Sequence, residues 1–75
     1  MYSLCKETYD KKERSVKEST LIKESDSLGE LKVLAMKLSI EDKYSDVMWL
    51  NSPDLNYYEL MLNNEIRFVI KKNEE

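Results

Sequence analysis

Few residues in this sequence could do chemistry, and those few are scattered. Cys5 is the single thiol, and there is no histidine. Without an imidazole, neither a Ser-His nor a Cys-His pair can form. A reactive Cys5 would need a positive group or a helix N-terminus beside it. Lys6 is next in sequence, but successive residues on a strand point to opposite faces. Cys5 therefore reads as a small, half-buried strand residue. The same missing histidine removes the usual zinc sets. Gly29 stands alone, so no Gly-rich phosphate loop exists. Glu41, Asp42, Asp46 and Asp54 fall near the ends of expected elements. Their spacing matches no cation-binding loop, and they read as solvated acids. The sequence thus predicts no enzyme, no cofactor and no metal ligand.

Twelve Lys plus Arg stand against fifteen Asp plus Glu, a formal net charge of −3. A nucleic-acid binder usually carries a basic excess or stripe. The densest basic stretch, Lys11 to Lys17, is diluted by acids and reads as a solvated hairpin tip. Its alternative reading is a loop touching phosphate. What remains for binding is apolar and aromatic surface, and the elements that position it decide which surface is offered.

A chain of 75 residues makes one domain, residues 1–75, with residues 72–75 expected as a frayed polar tail. A core this small gives only about 3–5 kcal/mol without a staple. One cysteine cannot close a disulfide, so a homodimer is the remaining common route to extra stability. The N-terminal residues lack the basic-then-apolar pattern of a secretory signal. No apolar run approaches the ~20 residues of a membrane span. The expectation is a cytoplasmic protein with no membrane partner.

Alternation predicts a strand over Tyr2–Tyr9, a charged turn at Asp10–Glu13 and a second strand over Arg14–Glu24, with Val16 and Ile22 inward. Asp10 is the residue best suited to an unusual backbone angle in that turn. Ser27-Leu28-Gly29-Glu30 matches the Ser-x-x-Glu capping box and opens a helix from Leu28 to Ser39 or Glu41. On its wheel Leu31, Leu34, Ala35 and Leu38 make the core face, while Val33, Met36 and Ile40 make a second apolar stripe. Three strands follow. Asp46–Asn51 is apolar on both faces, as a central strand would be. Asn56–Leu62 and Glu65–Lys71 are joined at Asn63-Asn64. A three-residue connection pairs Leu62 with Ile66, Leu60 with Phe68 and Tyr58 with Ile70, which gives one apolar face. A one-residue slip would mix charged and apolar residues there. The opposite face then carries Tyr57, Glu59 and Met61 beside Arg67, Val69 and Lys71, joined by either Trp49 or Met48. The fold class is α+β, order ββαβββ, with one helix on one face of a mostly antiparallel sheet, connected as a β-grasp or as a meander.

The charged hairpin, the helix opened by Ser25-Asp26-Ser27-Leu28, the Asp46-Val47-Met48-Trp49 strand and the Tyr57-Tyr58 strand sit in a short Lys/Glu/Asn/Ser-rich chain. In these features the chain resembles the small accessory proteins encoded by bacteriophages. The likeness is one of style over the whole length and carries over no functional residue. It implies a non-enzymatic protein that binds and alters a host macromolecule in the host cytoplasm. The function expected is therefore a small protein-binding module, an inhibitor or modulator of a host protein, with self-association as a further partner. Candidate contact residues are Val33, Met36 and Ile40 on the helix and Trp49, Tyr57, Met61 and Arg67 on the sheet. The alternative is a nucleic-acid-binding regulatory module using the Lys11–Lys17 hairpin and the strand aromatics.

Overall fold

The computed structural model describes residues 1–73. Strands β1 (Tyr2–Asp10) and β2 (Ser15–Ser25) form a hairpin, helix α1 (Leu28–Glu41) follows, and β3 (Met48–Ser52), β4 (Tyr57–Met61) and β5 (Ile66–Lys72) complete the chain. A single 3-10 turn at Pro53–Leu55 joins β3 to β4. The five strands make one antiparallel sheet in the order β2-β1-β5-β4-β3. The chain leaves the sheet at one edge, runs through α1 and re-enters at the opposite edge. It then steps inward through β4 to β5, which docks antiparallel on β1. The meander is thus the connection used, since a β-grasp would pair its terminal strands in parallel.

The register of the last hairpin follows from keeping the apolar set on one side. Tyr58 pairs with Ile70 and Leu60 with Phe68, and the Leu62 N–H donates to the Ile66 carbonyl at 3.1 Å. The Asn63 side chain accepts from the Glu65 and Ile66 amides at 2.7 and 2.8 Å, which holds the three-residue turn without glycine. Leu4, Leu31, Ala35, Tyr58, Leu60, Leu62, Phe68 and Ile70 form the core between sheet and helix. Full burial of each large side chain contributes about 1.5–3 kcal/mol.

α1 packs on β1, β2 and β5, and its buried line is Leu31, Ala35 and Ser39. Leu34 and Leu38, expected at its centre, flank that line and are only partly buried. Ser39 can take the central place because its hydroxyl donates to the Met36 carbonyl at 2.7 Å, so no polar group is left unpaired. The cap is half the predicted box. The Ser27 hydroxyl accepts from the Glu30 amide at 3.2 Å, but the Glu30 carboxylate turns to Lys23 at 2.6 Å and to the Ser25 hydroxyl at 3.0 Å. The Ser27 amide donates instead to the Ser25 hydroxyl at 3.0 Å. Hydrogen bonds from Lys23, then from Ser25, lower the pKa of Glu30 from its ordinary value.

Four expectations are corrected. Asp10 does not take the unusual angle in the first turn; Arg14 does, at φ 54°, while the Asp10 side chain accepts from the Lys12 and Glu13 amides at 2.8 and 3.3 Å. Val16 and Ile22 are not inward, because β2 is an edge strand and two bulges against β1 break its alternation. Lys72 ends β5 opposite Tyr2, and Asn73 is tied to the Met1 carbonyl and the Ser3 hydroxyl, so the ordered chain runs past the expected tail boundary. The remaining tail residues, 74–75, lie outside the described residues. Finally, β3 is not central: it is the edge opposite β2.

Candidate protein-contact surfaces

Three surfaces collect the candidate residues: the helix-free face of the sheet, the outer stripe of α1, and the β3 edge. On the helix-free face, strand parity aligns Cys5, Val69, Glu59 and Leu50 in one cross-strand row and Glu7, Arg67, Met61 and Met48 in the next. Trp49 pairs with Leu60 and lies on the helix face, packed against the core, so Met48 is the residue that joins Tyr57 and Met61. Trp49 is half-buried there, with the Lys32 ammonium 5.0 Å from its ring centroid and 4.8 Å from that of Tyr58.

The helix-free face holds a charged cluster that is largely out of water. Glu59 is only 6% exposed, and one of its carboxylate oxygens accepts from the Tyr57 hydroxyl at 2.8 Å and from Arg67 at 2.9 Å. Arg67 is paired across β1 with Glu7, which is 7% exposed and accepts from the Ser19 hydroxyl at 3.4 Å. The Arg67 guanidinium lies 4.7 Å from the Tyr9 ring centroid. Burial, then the hydrogen bond to Glu59, pushes the Tyr57 pKa up to about 12, because both disfavour the phenolate beside a carboxylate. Partial burial works against the Arg67 charge, but the hydrogen bond and charge of Glu59 outweigh it and hold the guanidinium above its usual value. Arg67 and Tyr57, expected as candidate contact residues, are tied into this network through Glu59.

Beside the network is a concavity of about 230 Å³ that Cys5, Glu7, Leu21 and Val69 help line. Among the described residues, no three Cys, Asp or Glu gather as metal ligands. The burial of Glu7 and Glu59 was missed by sequence reasoning. The only available signal was that Glu59 and Arg67 share one face as diagonal neighbours, which the expected register already contained.

The outer stripe of α1 is open. Val33 is 70% and Ile40 67% exposed, while Met36, on the shoulder, packs partly on the core. Together they make an apolar shelf flanked by Lys32, Lys37 and Glu41. No strand or loop among the described residues covers it, which answers whether the second stripe serves the interior. At the β3 edge, Met48 and Leu50 are 57% and 45% exposed. No protein-family model matches the chain, and comparison with curated proteins and with solved structures finds no similar one.

Proposed function

We propose that this chain is a non-enzymatic protein-binding module, acting as an inhibitor or modulator of a host protein, whose partner contacts the outer stripe of α1. The observation that carries the reading is the exposure of Val33 and Ile40 on a helix whose opposite face is already committed to the core. An apolar stripe on one helix, with charges at its margins, is the shape that docks into a partner's hydrophobic groove. The resemblance to phage accessory proteins supports the same class of function and the host cytoplasm as its place. No helix among the described residues is long and apolar enough to cross a membrane.

The test uses purified variants in affinity capture from host lysate, followed by binary binding to the captured protein. Val33→Asp and Ile40→Asp place a charge on the shelf at exposed positions, so both should leave the core intact. Met36→Asp is unsuitable, because Met36 touches the core. Loss of the partner with both variants, and its retention with Tyr57→Ala, is the expected result. A partner held equally by wild type and both stripe variants refutes the reading. Retardation of DNA or RNA at low salt, weakening steeply as salt rises, would instead favour the Lys11–Lys17 hairpin as the functional surface.

A further inference from the structure

The two edges of this sheet are built differently. β2 is long, but it carries Lys17, Glu18, Lys23 and Glu24, and two bulges interrupt its register. Charges and bulges are the devices that stop an edge strand from pairing with another chain. β3 has neither. Its sequence, Met48-Trp49-Leu50-Asn51-Ser52, contains no charged residue, unlike each of the other four strands. Its register against β4 runs from Met48 to Ser52 without a shift. A strand composed like the centre of a sheet is thus found at an edge, with alternate backbone N–H and C=O groups unpaired along its outer side.

We propose that β3 pairs antiparallel with β3 of a second copy, so that two sheets join into one of ten strands. This surface is independent of the α1 stripe. A dyad perpendicular to the sheet keeps each face on its own side. A register centred on Leu50 pairs Leu50 with Leu50, Met48 with Ser52 and Trp49 with Asn51. All five residues are then used, no like charges meet, and the exposed Leu50 and Met48 gain cross-strand neighbours on the helix-free face. The same operation on β2, centred on Thr20, sets Lys17 against Lys23 and is blocked. A second copy fits better than a foreign strand because the complement required, a short uncharged strand with Leu at its middle, is the one the chain itself supplies. Five paired residues make an interface at the low end of specific contacts, so the dimer depends on concentration in the micromolar range.

Analytical ultracentrifugation across about 1–500 µM tests this. The wild type should shift from the 8.9 kDa chain mass to twice that value. Leu50→Lys, which puts two ammonium groups against each other at the dyad, should remain monomeric. Leu21→Lys, at an exposed position of the same face on the protected edge, should dimerise as the wild type does. Mixing Leu50→Lys with Leu50→Glu should restore a heterodimer, which a variant that merely fails to fold cannot do. A wild type that stays monomeric at 500 µM overturns the proposal. So does a dimer that survives Leu50→Lys but is lost with Val33→Asp.

Discussion

Removing Arg67 tests whether the helix-free face is held by its buried charges. Arg67→Met keeps a stem of similar length beside Tyr9 and takes away the only cation within ion-pair distance of Glu59 among the described residues. Glu59 would then keep only the Tyr57 hydroxyl, with Glu7 one strand beyond. Stranding a buried carboxylate costs about 3–5 kcal/mol in a dry site. The Arg67 side chain is 23% exposed, so water reaches the pair and the loss should fall to about 2–3 kcal/mol. Against the about 3–5 kcal/mol that a core of this size supplies, that loss is a large fraction, and each kcal/mol moves Tm by about 4–8 °C. Thermal and urea melts of wild type, Arg67→Met, Glu59→Gln and the double variant measure the cycle. The double variant should lie well above the sum of the singles, with a coupling of at least about 1.5 kcal/mol, because a neutral amide in place of the Glu59 carboxylate needs no counter-cation. A cost under about 0.5 kcal/mol, or strict additivity, would show that the pair behaves as an ordinary surface ion pair and that the burial argument is wrong.

Three other outcomes follow from single contacts. Tyr57 keeps its proton to about pH 12, above the ordinary value of 10; its contribution is therefore full below pH 10 and is lost as pH rises from 10 through about 12. Ultraviolet titration should show a late component that Tyr57→Phe removes, and that variant's stability should fall less than wild type's across this window. Ser27→Ala removes the acceptor for the Glu30 amide and should cost about 1 kcal/mol by urea titration. Arg14→Gly relieves a left-handed residue at an exposed turn and should stabilise by about 0.5–1 kcal/mol, whereas Arg14→Pro should not be tolerated there.

Much of the fold was legible because its signals are local. The Ser27 cap and the parity of β4 against β5 each depend on residues within a few positions of one another. The β4–β5 register could be worked out because only one slip puts Leu60 and Phe68 on the same side. The failures lie where a distant strand decides the outcome. Val16 and Ile22 alternate like inward residues, but nothing within β2 says that it lies at an edge or that β1 will bulge it twice. Glu30 matches the capping box, yet Lys23 and Ser25 from β2 offer its carboxylate a stronger partner than the Ser27 amide. For the contact surface, the helix stripe was readable from its wheel. Trp49 could not be assigned to a face, since β3 is apolar on both and parity alone does not say which side meets α1.

That last ambiguity bears directly on how the chain is used. Alternation fails as a guide in β3 because the strand has no wet face in its composition, and the folded monomer does not supply the two neighbours such a strand calls for. On its helix side Lys32 lies over its Trp49, and its inner edge receives β4. Its outer edge and its Leu50 side receive nothing among the described residues. Sequence reasoning placed the strand in the middle of a sheet, and the structure places it at the end of one. The two agree if the sheet does not stop at the end of the chain. A residue-level consequence separates this from a strand that is simply poorly protected. In the dimer, the outward amides of β3 should exchange with solvent as slowly as those it donates to β4, and Leu50→Lys should release the outward set alone. Outward amides that exchange faster than the β4-paired set in the wild type, as they do in Leu50→Lys, would mean that β3 has no second neighbour.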